Sequence, residues 1–167
     1  MWSCDRRRLI AGLAALPLLS ACGFAPTLAP GGAAAGLRGR IRADDPDGPD
    51  DFAFVERFEE RLGRPEAPPR YALSFDIDVT TDDIATVRGE GATRGTAIGR
   101  VRYAVRQLDD DDTVHEGRAE SFTGWSRTEE ALAERFARED ARARLMRILA
   151  DRIATDLTAT AGDWAAP

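Results

Sequence analysis

The chain has 167 residues, of which 43% are hydrophobic and 31% charged, with 23 basic against 29 acidic side chains and a formal net charge of -6. That balance excludes a general nucleic-acid binder, which needs a basic face for the phosphate backbone. Two cysteines and one histidine leave little material for thiol, imidazole or metal chemistry, so no cofactor is expected.

The first 21 residues read as a lipoprotein signal peptide. Arg6, Arg7 and Arg8 form a basic n-region, and Leu9 to Leu19 form an apolar run of eleven residues. A helix crossing a hydrocarbon core of ~30 Å needs about 20 residues, so this run is read as a removed segment and not as a span. Leu19-Ser20-Ala21-Cys22 then forms a lipobox, whose thiol at Cys22 takes up a diacylglycerol and whose new amino terminus is acylated after cleavage. Several acyl chains, at about 0.8 kcal/mol per buried methylene, make such a tether effectively permanent. Gly23 stands where an aspartate is the usual inner-membrane retention signal, so outer-membrane sorting, on the periplasmic face, is expected. Asp5 to Ile10 fits a twin-arginine export signal loosely, and the general secretory route stays open beside it. The signal carries three of the 23 basic and one of the 29 acidic residues, leaving 20 against 28 and a net charge of -8. With Cys4 lost and Cys22 lipidated, no disulfide is expected, and the roughly 145 remaining residues must rely on one hydrophobic core.

Residues 22–36, rich in proline, glycine and alanine, read as a flexible lipidated tether. The domain is expected over 37–160, followed by a tail over 161–167. Leu37, Gly39 and Ile41 alternate with Arg38, Arg40 and Arg42, predicting a short strand with an arginine face. An acidic turn over Asp44 to Asp51 leads to a helix over Phe52 to Leu62, stopped by Gly63 and Pro65. Tyr71 to Thr80 alternates as a strand, and Gly89 to Gly99, with four glycines, predicts a mobile connection. Arg100 to Arg106 alternates again and meets Val114 to Phe122 across the turn Asp109 to Asp112, giving a three-stranded antiparallel meander. Ser126-Arg127-Thr128-Glu129 fits a capping box opening a helix to roughly Ala159. Its stripe is Leu132, Phe136, Ala143, Met146, Leu149, Ala150, Ile153 and Leu157, with Glu139 the one charge inside it. The expected fold is α+β, a two-layer sandwich with two helices on one face of a four-stranded, mostly antiparallel sheet.

The candidate site residues are the arginines Arg38, Arg40, Arg42, Arg100, Arg102 and Arg106, which period-2 geometry puts on the open sheet face. Two readings compete. Guanidinium forks suit phosphates or carboxylates of a lipopolysaccharide or a protein partner, while cross-strand pairing with Asp76 and Asp78 would simply neutralise the face. The absence of lysine fits a coding bias toward arginine at least as well as selection for phosphate. His115, beside the hairpin turn and without a second histidine, reads as a solvated strand residue. Asp45-x-Asp47-Gly48 has the start of a calcium loop, but no glutamate closes it, so both aspartate clusters read as solvated turns and no metal site is assigned.

Cys22-Gly23-Phe24, the segment Tyr103 to Leu108 before a turn, Gly117 to Phe122 after it and the helix from Thr128 to Leu157, in this order and length, resemble the LptE family of lipopolysaccharide-assembly lipoproteins. The chain departs from many members in having Ala25-Pro26-Thr27 after Phe24, and in its acidic charge. The resemblance implies a non-catalytic outer-membrane lipoprotein that sits as a plug in the LptD β-barrel, aids its assembly and assists insertion of lipopolysaccharide into the outer leaflet. An auxiliary lipoprotein of a lipid-trafficking ABC transporter is the alternative.

Overall fold

Strands whose residues alternate polar and apolar have one face to bury, and here both helices lie on that face. A computed structural model describes residues 32, 34–65, 68–87, 91–128 and 130–165, without the side chains of 83–87 and 91–93. The expected signal, Cys22 and most of the tether lie outside the described residues, as do Glu129 and the last two residues. The elements are β1 (Ile41–Ala43), α1 (Pro49–Leu62), β2 (Tyr71–Val87), β3 (Gly91–Gln107), β4 (Thr113–Ser126) and α2 (Ala131–Trp164). They form one four-stranded sheet in the order β1-β2-β3-β4, with β1 parallel to β2 and the other pairs antiparallel, the expected α+β arrangement.

Proline at the first position and Asp50 and Asp51 in the first turn suit the start of α1, and Gly63 at φ 82° ends it. Phe54, Phe58 and Leu62, four residues apart, are buried against the sheet and α2. Helix α2 supplies Leu145, Met146, Leu149, Ile153 and Leu157, and the sheet supplies Tyr71, Leu73, Ala97, Val101, Tyr103 and Val105. The two helices are also pinned by charge: Arg57 reaches Asp151 at 3.0 Å, and Arg142 forks onto Asp50.

Four features depart from the alternation of the sequence. Residues 34–40 are turns and only Ile41–Ala43 is strand, because Gly39 takes φ 68° and its amide bonds Leu62 O at 2.8 Å. Leu37 is still fully buried, so the apolar period survives without the extended backbone. Of the four glycines expected to form a mobile connection, Gly89 lies outside the described residues and Gly91, Gly95 and Gly99 instead lie in β3, where Gly95 and Gly99 let bulky groups approach the sheet. A Cβ on Gly95 would stand 2.2 Å from the Trp125 ring, and one on Gly99 2.8 Å from Leu149. The capping box is not formed: Ser126 ends β4, α2 starts at Ala131, and Thr128 instead accepts the Glu130 amide at 3.0 Å and donates its own to Glu134 at 3.1 Å. Finally, Leu132 and Phe136 are each 59% exposed and Glu139 is exposed, while Glu134 is buried, because the first turns of α2 bury a different side of the helix from its later turns.

Two fasteners of the same design hold α2 to the sheet. Trp125 lies across its strand partner Gly95 and donates its indole N–H to Glu134 at 2.7 Å; Tyr103 lies across its partner Gly117 and donates its hydroxyl to Asp156 at 2.5 Å. Each glycine makes room for a ring, and each ring tip reaches a carboxylate on the helix.

Candidate functional site on the arginine faces

Among the residues whose side chains are described, the even-numbered ones of β2, β3 and β4, save Val114 beside the irregularity in the β3–β4 register, point away from the helices and build a charged face. Arg102 meets Asp76 at 2.6 Å, and Arg100 meets Glu120 at 3.2 Å and Asp78 at 3.9 Å. Arg106 pairs with Asp111 of the hairpin turn at 2.9 Å, so this turn carries a counter-ion. Cross-strand pairing therefore accounts for Arg100 and Arg102, and the hairpin turn for Arg106. These are exposed pairs worth about 1 kcal/mol or less each.

The sequence passed over two further arginines at this place. Arg118 of β4 stands opposite Arg102 and makes no ion pair among the described residues. Arg152 of α2 reaches round the sheet edge to the carbonyl of Glu120. With Arg100, Arg102, Asp76 and Asp78 they line a shallow cleft of ≈ 880 Å³. The period-2 pattern of β4 was the signal for Arg118, while nothing local pointed to Arg152.

Arg38, Arg40 and Arg42 do not share a strand face. Arg42 lies on β1 and pairs with Asp45 at 3.1 Å. Arg38 and Arg40 sit on the preceding turns, exposed and without an ion pair among the described residues. They line a cleft of ≈ 970 Å³ together with Arg64 and Arg70. Arg64 is engaged by Glu59 at 2.9 Å. The structure thus separates the six predicted arginines into an ion-paired set and a turn pair, Arg38 and Arg40, without an ion pair among the described residues.

His115 is not a solvated strand residue. Odd-numbered residues of β4 face the helices, and His115 Nε2 lies 3.1 Å from the same Asp156 oxygen that accepts the Tyr103 hydroxyl. Its ring stacks on Trp164 at 5.5 Å, and Tyr71 meets the other ring of that pair edge-on. Burial first, and then the bond to Asp156, hold the Tyr103 phenol proton well above its usual range. No group of metal-ligating side chains occurs among the described residues, and the cluster ties β3 and β4 to α2. At the other end of α2, the indole bond from Trp125 holds the Glu134 carboxyl below the usual range against the opposing effect of burial, helped by the Thr128 amide, Arg127 and Arg138.

No protein-family model and no curated protein sequence matches the chain. Its fold does match solved structures. A putative lipoprotein from Caulobacter crescentus CB15 superposes with a TM-score of 0.65 at 19% identity, covering 78% of this chain and 96% of that one. Rare lipoprotein B from Shewanella oneidensis gives 0.55 at 14% identity over 72% and 92% of the two chains. A minor lipoprotein from Acinetobacter baumannii gives 0.57 at 10% identity over 76% and 94%. The domain therefore has a fold found in bacterial lipoproteins.

Proposed function

We propose that this chain is a lipid-anchored lipoprotein of the outer membrane that acts without catalysis as the internal partner of a large LptD-like β-barrel, helping the barrel mature and lipopolysaccharide reach the outer leaflet. The observation that carries this reading is the open sheet face. Its arginines and carboxylates are largely neutralised by one another, with Arg118 as the exception, so a polar surface of this kind can stand against the polar lumen of a wide barrel with little unpaired charge to bury. The lipoprotein fold, the lipobox ending at Cys22 and the resemblance to the LptE family support the same reading.

The test is capture of the tagged protein from detergent-solubilised outer membranes. A large β-barrel should copurify, and depletion of the chain should lower the amount of mature barrel and hold lipopolysaccharide short of the surface. Capture of ABC-transporter subunits in place of a barrel would refute the proposal in favour of a transporter auxiliary lipoprotein. Normal barrel levels after depletion would refute it outright.

A further inference from the structure

Strand β2 has seventeen residues, but β1 covers only three of them, pairing Ile41 to Ala43 with Tyr71 to Leu73. Beyond Leu73 no strand among the described residues lies on that side. The direction of the free backbone groups follows from two bonds: the Tyr71 amide donates to Arg40 O at 3.1 Å, and Leu73 O accepts the Asp44 amide at 2.9 Å. Odd-numbered residues of β2 therefore present both N–H and C=O to the β1 side. The register with β3 runs without a shift from Tyr71 to Ile84, so Phe75, Ile77, Val79 and Thr81 present theirs to the side where no backbone partner occurs among the described residues.

The side chains along this edge say what fits there. Phe75, Ile77 and Val79 face the helix side but are only half-buried, since α2 lies over β3 and β4. On the other face stand Asp76, Asp78 and Asp82, and β2 holds no basic residue at all. Two β2 edges from two copies would set carboxylate against carboxylate, which opposes self-pairing. The opposite sheet edge, on β4, is different: Arg152 and Arg144 of α2 occupy its outward carbonyls at Glu120 and Gly124.

We propose that the β2 edge from Phe75 to Thr81 is a docking site for an extended segment of a partner protein, added as a further strand, in which apolar residues alternate with arginine or lysine. The apolar residues extend the cover over Ile77 and Val79, and the basic ones meet Asp78 and Asp82. This surface borders the arginine face and shares Asp78 with it, which Arg100 approaches only to 3.9 Å, and it does not rest on the barrel partnership.

Amide hydrogen exchange on the purified full protein in mild detergent tests it, with two synthetic peptides as probes: one alternating valine with arginine and threonine, the other identical except for glutamate in place of arginine. Without peptide, the amides of Phe75, Ile77, Val79 and Thr81 should exchange at least about tenfold faster than those of Asp76, Asp78 and Thr80, which bond to β3. The basic peptide, at up to about 1 mM, should slow those four amides by about tenfold, and the acidic peptide should not. Val79→Pro removes one outward donor without touching the β3 ladder and should abolish the protection. Asp82→Lys, a surface change independent of whether the proline variant folds, should weaken the basic peptide and favour the acidic one. Failure of the basic peptide to protect these amides would overturn the proposal and leave the acidic edge as a guard against aggregation. Equal protection by both peptides, protection at β4 in place of β2, or protection that rises with protein concentration alone would overturn it equally.

Discussion

Replacing Gly95 by alanine perturbs one atom and loads an entire fastener. The added Cβ would stand 2.2 and 2.3 Å from two atoms of the Trp125 ring, far inside contact, and a ring cannot yield as a flexible chain end can. Overpacking of this kind costs about 1 to 3 kcal/mol, and a rigid neighbour places Gly95→Ala near the upper figure. Alanine recovers about 0.5 to 1 kcal/mol of backbone entropy relative to glycine, leaving a net loss of about 2 kcal/mol before the indole bond is considered. Displacing the ring also parts the indole from Glu134, and the carboxyl loses the donor that chiefly lowers its pKa. A group whose folded pKa lies below its unfolded value adds stability above that unfolded value, about 4.3 for glutamate, and loses it as the pH falls. Urea unfolding should therefore show the full deficit of Gly95→Ala near pH 7 and a smaller one below pH 4. The Trp125 indole proton should shift in the NMR spectrum, and a cycle with Glu134→Gln should be non-additive. A loss under about 0.5 kcal/mol with an unmoved indole signal would refute the reasoning.

Other expectations follow from the same geometry. Raising the pH past about 10, where an unfolded tyrosine ionises, should destabilise the protein, because the folded Tyr103 holds its proton more tightly; Tyr103→Phe should flatten that alkaline slope in pH-resolved unfolding curves. Arg102→Glu should lower stability by no more than about 1 kcal/mol in thermal melts, since its pair with Asp76 is exposed. The double change Arg38→Glu, Arg40→Glu should leave unfolding within about 0.5 kcal/mol of the parent yet reduce barrel recovery in the capture assay, and an unchanged yield would remove these two residues from the interface. Cys22→Ser should release the protein from membranes on fractionation, and mass spectrometry of the parent should find a diacylglyceryl mass on Cys22.

The layer order, the meander and the buried stripe of α2 from Met146 to Leu157 were legible in the sequence because each rests on a long, clean period. What escaped it depended on partners distant in the chain. The glycines of β3 mark a strand only once Trp125 and Leu149 are seen to lie on them, and glycine alone looks the same in a loop. Leu132 and Phe136 continue the stripe in sequence, but the direction that α2 buries turns along its length. The buried Glu134 was invisible because its principal partner, the Trp125 indole, lies on another element. The arginine alternation at 38–42 was real, yet one glycine at φ 68° broke the extended backbone and left Arg38 and Arg40 on turns.

The guanidinium groups on the β4 edge bear on what happens when many copies share a small volume. A sheet with two unlike free edges is a monomer for a head-to-tail chain, since the left edge of one copy can accept the right edge of the next and nothing closes the ring. Arg144 and Arg152 stand where such a neighbour would lay its backbone, and they are held there by carbonyls of the strand they guard. Growth through β4 would first require two charged side chains to be torn from their acceptors. The protein thus keeps a long open strand on one side without the means to propagate a fibre from the other.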